Sequence, residues 1–525
     1  MPLDEGGRWE ERLTQWEALY KREKEEKFAM IKDWYGNKFP PGLLTVNLLF
    51  SFGRSVVPQL YFKNPVSSVT IKRPGFGDAQ MTLQTVDDRL MQLMRLKETM
   101  KKMIVSAFCF SRGVVKVGYV DEVDNLGMTQ SGMLPHYRRQ DRLSPGRPYV
   151  AHFQTKDFAF DSDVSDIDDS AWFAMKFDRS HGQLKEDEGP LGTYMKDKLS
   201  EDDDEMEPFW EVWDKYTGKF HIQHEKDLVE DPQDFEVWPF YKLDFNWVPE
   251  MPLGVSDAEL ILDLQKEYNE IKTQIHQHRR ISLVKLLARK GALDQEAKAA
   301  LKDGEVGPVV EVEGAVGESI TPFAPQIPTD LFTTANTNEQ DVRAVIGFSR
   351  NQLGETGPSK KTASEANIIQ QQIMIRLDER RDMCADVIGD VLHAVNSIIL
   401  ERWAPETAVD YGAEQTAWAK LVSVKDTYTV TIVPDSTLPL SRQVKQAEAK
   451  EMYVTLRDDP LIDPLRLRLK LLEAFETADL SLINQQAVAQ LQAVQSQLAG
   501  QGQAIEQGRQ KRGPDQTQRQ PRSVA

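Results

Sequence analysis

The densest group of chemically capable side chains lies between Asp157 and Asp169. Six carboxylates (Asp157, Asp161, Asp163, Asp166, Asp168 and Asp169) fall within thirteen positions there. Carboxylate oxygens suit hard divalent cations, so a metal-dependent nuclease or phosphatase could be built on Asp161–Asp169. The run departs from a calcium loop, because no Gly stands at the turn and no Glu closes it. The expected role is a solvated turn beside a strand. A second group, Gly354-Glu355-Thr356-Gly357-Pro358-Ser359-Lys360-Lys361-Thr362, imitates a phosphate-binding loop. Only two residues separate its glycines, and Lys360, not Gly, precedes Lys361, so it lacks the P-loop pattern. Gly347-Phe348-Ser349-Arg350-Asn351 approaches a nucleophile elbow but ends in Asn. His221 and His224 sit on opposite faces of a strand, and His276 and His278 diverge around a helix. The chain has only two cysteines, Cys109 and Cys384, far apart. Neither a disulfide framework nor a Cys-ligated zinc site follows, and an intracellular origin is expected. No catalytic residue, metal or cofactor is assigned, and the chain reads as a structural machine rather than an enzyme.

The cations Arg350, Lys360 and Lys361 belong to a polar loop, Gly347 to Lys361, that feeds a long helix. Thr362-Ala363-Ser364-Glu365 is a capping box that satisfies free amides at the helix start. From there Ile369, Ile373, Leu377, Cys384, Val387, Ile388, Val391, Leu392, Val395, Ile398 and Ile399 mark one apolar face up to Trp403. About forty residues at 1.5 Å rise make a rod of roughly 60 Å, and Pro405 stops it. Upstream, Ser256-Asp257-Ala258-Glu259 predicts a second capping box, with Val255 and Leu260 as its hydrophobic staple. Its helix runs through Leu264, Tyr268, Ile271 and Ile275, a narrow seam suited to helix packing. Residues 283–328 are rich in Gly, Ala and Pro with short strands such as Val309–Val312. Asp330–Ile346 has poor helix propensity of its own.

Elsewhere the patterning predicts a charged amphipathic helix over 8–35, a helix with an extended end over 47–72, and one helix over 86–108. A strand is expected at Gly113–Val120, a hairpin turning at Thr217-Gly218 over Phe209–Ile222, and a strand at Asp426–Val433. The acidic run Glu201–Glu207 reads as a spacer. Helices are expected at Val444–Leu456, Pro464–Phe475 and Ile483–Leu498. The Gln-, Gly- and Arg-rich tail from Gly500 lacks apolar periodicity and is expected to be disordered. No uninterrupted run of eighteen apolar residues and no apolar leader occurs, so neither a membrane span nor secretion is expected. The net charge of −18 disfavours a protein that wraps nucleic acid in lysines.

The phrase G-F-S-R-N-Q-L-G-E followed by T-A-S-E-A-N-I-I-Q-Q and the long helix resembles the portal (head–tail connector) proteins of tailed bacteriophages. The N…P-x-L-Y…P…V form at 47–72, the P-L-G-x-S start at Pro252 and the order of segments over 47–475 are similar too. The resemblance implies an α+β, ring-forming fold with wing, stem, clip and crown. Residues 1–254 would be an N-terminal wing region and 255–281 the first stem helix. The clip would be 282–327, the second stem helix 328–346 and the tunnel loop 347–363. Residues 364–440 would be the long wing helix and its returning strand, and 441–499 the crown helices, with 500–525 the disordered tail. It further implies a dodecameric channel for double-stranded DNA at one capsid vertex, in the virion and, during assembly, the host cytoplasm. Its partners would be the terminase, the major capsid protein, a head–tail adaptor and a scaffolding protein, with no membrane. Arg350, Asn351, Gln352, Lys360 and Lys361 would face DNA from the tunnel loop, through contacts that position the duplex without reading its sequence.

Overall fold

The computed structural model describes residues 5–61, 63–120, 128–129, 132–133, 146–187, 189–281, 285–288, 320–323, 328–347, 363–424, 427–432, 442–457 and isolated positions elsewhere, with backbone only over 363–376. The chain divides into two compact units, Met1–Leu438 and Pro439–Ala525. In the second, one helix, Arg442–Leu456, is the extended element among the described residues. The readings at 464–475 and 483–498 and the tail fall almost wholly outside the described residues.

The first unit opens with α1 (Glu5–Tyr20) and α2 (Glu26–Tyr35), joined by a π-helical turn, Lys21–Glu25. A π turn holds one extra residue and so re-aims a side chain; here Lys24 points inward and is 2% exposed. Next come α3 (Leu48–Leu60), β1 (Ser67–Ile71), α4 (Gly77–Leu93) and α5 (Leu96–Phe110). The single helix expected over 86–108 is therefore two. The break is Arg95, which adopts left-handed φ of 52° after α4 closes at Met94, a conformation rare for non-glycine residues. Leu90, Met91 and Leu96 on either side are all buried, so the chain turns to keep both helices on the core.

The strands then follow: β2 (Arg112–Val120), β3 (Arg147–Phe153), β4 (Phe158–Phe160) and β5 (Trp172–Ser180), the short helices α6 (His181–Glu186) and α7 (Pro190–Met195), then β6 (Met206–Asp214), β7 (Lys219–His224), β8 (Asp227–Leu228), β9 (Gln233–Asp234) and β10 (Phe240–Asp244). One sheet has the order β10-β2-β3 and another the order β8-β7-β6-β5-β4, with β9 also on β7. All these pairings are antiparallel. The β6–β7 hairpin turns at Gly218, whose φ is 68°, as its Thr-Gly sequence predicts. Lys116 of β2 and Glu211 of β6 form a fully buried ion pair at 2.6 Å between the two sheets. Trp213 also donates its indole N–H to Glu211.

The remaining elements are α8 (Asp257–Leu260), α9 (Leu262–Ile281), β11 (Lys285–Ala288), β12 (Ile320–Phe323), α10 (Asp330–Ile346), α11 (Ala363–Arg402), α12 (Pro405–Asp410), α13 (Gln415–Val422) and β13 (Tyr428–Ile432). Strand β13 pairs with β1, Ser67 opposite Ile432 through Ile71 opposite Tyr428, and packs on α11. The chain is thus a mixed α+β protein with antiparallel sheets. Leu377–Arg402 is long and apolar enough to cross a membrane, yet 61% of its most apolar window is buried inside the chain. Cys384, Ile388, Val391, Leu392, Val395 and Ile399 lie in one core with α2, α3, α4 and α5. A second core packs α1 on the larger sheet, with Trp9, Trp16, Phe160, Phe173 and Trp213.

Asp87 of α4 is fully buried beside Ser67 of β1 and Asn396 of α11. Burial pushes its carboxyl up from 3.8 to about 8, against the smaller pull of Asn396 and Ser67. Because the folded value exceeds the unfolded one, its contribution is intact below about pH 4 and is lost as pH rises through 8. Asp87→Asn should flatten that fall, by about 1.4 kcal/mol per pH unit between roughly pH 4 and pH 8. Urea unfolding at a series of pH values checks this; a mutant profile as steep as the wild type's contradicts it.

Candidate functional site

Arg350, Asn351, Gln352, Lys360 and Lys361 lie outside the described residues, as do Thr362 of the expected capping box and the strand read at Val309–Val312. The elements that hold the ends of this loop are described. Helix α10 closes at Gly347, whose φ of 79° suits a glycine cap and whose N–H donates to the Arg343 carbonyl at 2.9 Å. Helix α11 begins at Ala363. The candidate site is therefore the frame made by α8, α9, α10 and α11.

The root of this frame is α8. Ser256 caps it as its sequence predicts, its Oγ accepting from the Glu259 amide at 3.0 Å. The expected box does not close, because the Glu259 carboxylate turns instead to Lys24 at 2.7 Å and Lys27 at 3.0 Å. Burial would raise that carboxyl, but the two lysines outweigh it and hold it below its usual range. Leu260, read as one half of the staple, is 47% exposed. The helix then breaks at Ile261, with φ of −106° and ψ of 2°, before α9 begins. Asp257, 2% exposed, receives both Arg380 guanidinium nitrogens of α11 at 2.8 Å, and the Asn246 amide at 3.1 Å. Arg380 also lies over the Phe245 ring.

Helix α9 holds the extended segment before α3 with a ladder of side chains. Thr273 accepts from the Leu44 amide at 2.8 Å, Asn269 from Val46 at 3.0 Å and Gln265 from Leu48 at 2.7 Å, while Gln265 donates to the Val46 carbonyl. The fit is geometric. Four helical residues advance about 6.0 Å, close to the roughly 6.7 Å of two extended residues. On another face Tyr268 and Ile271 pack against Ala335 of α10, and Asn338 donates to Glu267 at 3.1 Å. Between α9 and α10, β11 and β12 pair antiparallel, closing the base of the intervening segment.

The outward residues of α10 include Phe332, Thr333, Thr334, Asn336, Thr337, Gln340, Ala344 and Val345, with Asp341 the one exposed charge from Leu331 to Ile346. Thr333, Thr334 and Thr337 each donate their hydroxyl to the carbonyl four residues earlier. Their protons are consumed within the helix, so this face offers methyls and lone pairs rather than donors to an anion.

The Asp-rich run forms the turn between β4 and β5. Asp161 accepts from the Asp163 amide and Asp166 from the Asp168 amide. Lys242 of β10 is ion-paired with Asp166 and lies 3.4 Å from Asp168, and Arg112 reaches the Ser165 carbonyl and Asp244. Burial would raise the Asp166 carboxyl, but its bonds from Lys242 and the Asp168 amide hold it low. These carboxylates are occupied in shaping a turn, and no group of three His, Cys, Asp or Glu that could hold a metal occurs among the described residues.

A further network escaped the sequence reading. Glu207, the end of the supposed spacer, is part of β6 and receives His181 at 3.2 Å and His224 at 3.3 Å on its two oxygens. Ser200 N–H donates to His181 Nδ1 at 2.9 Å, tying the α6–α7 excursion to the sheet edge. His221 instead lies against Trp9, so His221 and His224 diverge as expected.

No protein-family model and no curated protein matches the chain.

Arg380→Met should destabilise the fold by about 3 kcal/mol, because it leaves the buried Asp257 carboxylate without its main partner. Asp257→Asn combined with Arg380→Met should recover part of that loss in a urea-unfolding double-mutant cycle. Strictly additive losses would show that the pair is not coupled.

Proposed function

We propose that the chain is a portal-type protein whose copies form a ring around a channel for double-stranded DNA. In this reading α9 and α10 are the stem, with α10 turned to the bore. Residues 282–327 form the clip that docks the terminase and later the head–tail adaptor. The loop from Gly347 to Lys361 places Arg350, Lys360 and Lys361 against phosphates, with Asn351 and Gln352 beside them. The ring sits at a capsid vertex of the virion, contacting the major capsid protein, with scaffolding protein as a partner in assembly.

The observation that carries the reading is the helix frame. Two packed helices flank an inserted segment, and the second delivers the chain through a glycine cap into a cationic loop and then a 40-residue helix. The outer face of α10 supports it. Binding to DNA grows with the number of phosphates that cations neutralise, and this face presents no cation and few donors. A duplex can slide past such a wall. The chain's charge of −18 acts in the same direction, leaving the loop cations as the places of contact.

Light scattering of the purified protein, with negative-stain images of the same fraction, tests this. The expected particle is a ring near twelve times the 59.8 kDa chain mass, with a central hole. A compact dimer without a channel would overturn the proposal.

A further inference from the structure

Three polar side chains meet inside the first core, on β1, α4 and α11. Ser67 of β1 is 3% exposed, and Asp87 of α4 and Asn396 of α11 are fully buried. Their surroundings are apolar: Val69 of β1, Val86 and Leu90 of α4, and Val395 and Ile399 of α11 belong to the same core. Helix α4 packs on β1, and α11 packs on β13, the strand paired with β1.

Five atoms of this group have no hydrogen-bond partner among the described residues: both Asp87 carboxyl oxygens, the Ser67 hydroxyl, and the Asn396 amide oxygen and nitrogen. Ser67 and Asn396 lie near enough to pull on the Asp87 carboxyl, yet neither closes a bond of proper length and angle to it. Each polar group left so in a core costs free energy. Three of them side by side can share one remedy.

That remedy must suit donors and acceptors alike. Burial keeps the proton on Asp87 up to about pH 8, so at neutral pH the group is an uncharged acid, a hydroxyl and an amide. Together they offer O–H and N–H donors as well as oxygen acceptors. A metal ion would answer the oxygens and leave the Asn396 N–H groups bare. Water both donates and accepts, and a buried water makes about three hydrogen bonds to polar groups of this kind.

We infer that one ordered water molecule bridges Asp87, Ser67 and Asn396 and forms the joint of β1, α4 and α11. It fixes the long helix, through Asn396, to α4 and to the β1–β13 pair by directional bonds that the surrounding apolar contacts lack. The bridge is independent of the ring reading.

A crystal structure of the full chain, at a resolution that shows ordered water, tests it. One water within about 2.7–3.2 Å of all three side chains is expected. Side chains bonded directly to one another, with no water between them, overturn the inference. So does a metal ion there, recognised by contacts of about 2.4 Å and by a melting temperature that rises when sodium or calcium chloride replaces choline chloride. Urea unfolding gives a second measure in solution. Asn396→Leu alone leaves the water and two side chains short of a partner, and should lower the folding equilibrium constant about tenfold. Ser67→Ala, Asp87→Leu and Asn396→Leu together remove every partner, and should cost less than the product of the three single losses. Losses that simply multiply overturn the inference.

Discussion

A carboxylate removed from water must be answered by a cation and by hydrogen bonds, or the fold pays several kcal/mol for it. Asp257 is such a group, and its bidentate bond to Arg380 joins α8 to the middle of α11. Two residues on, Glu259 joins the same short helix to Lys24 and Lys27 of the N-terminal helices. These two contacts set where α9 starts and in which direction it leaves. Everything downstream inherits that direction: the side-chain ladder to Leu44–Leu48, the packing of α10, and the point at which Gly347 releases the loop. Paired Arg geometry matters here, because a planar fork fixes orientation in a way that a single ammonium does not.

Charge is distributed with the same economy. Cations inside the fold are neutralised by named partners, as with Lys116 on Glu211 and Arg112 on Asp244. The exposed face of α10 is nearly uncharged, and its threonine hydroxyls turn back on their own helix. On the proposed reading these features belong together. A wall that must not hold DNA carries few donors, and the cations that touch it are confined to one loop.

Much of the frame was legible in local chemistry. The Ser256 cap, the Gly218 hairpin and the strand over 428–432 follow from capping residues, turn residues and periodicity, which act over a few positions. The helix at 330–346, by contrast, was expected only from the resemblance, against its own weak propensity. What was hidden depends on distant partners. The Glu259 side chain leaves its capping box because Lys24 and Lys27, more than 200 residues away, offer a better bond. Lys24 faces inward because a π turn adds a residue, which no hydrophobic pattern announces. The break at Arg95 keeps two apolar faces on one core, and Glu207 looked like spacer until β6 brought it between two histidines. The loop cations were legible as a composition, while their placement rests on the frame at either end.

The central claim is that the outer face of α10 looks onto DNA. A photo-crosslinking residue placed at Thr337, on that face, tests it directly in assembled, DNA-filled particles, with Tyr216 (92% exposed) on the β6–β7 turn as the comparison position. The account predicts DNA adducts from position 337 and none from position 216. Adducts absent from 337, or equal at the two positions, would contradict it.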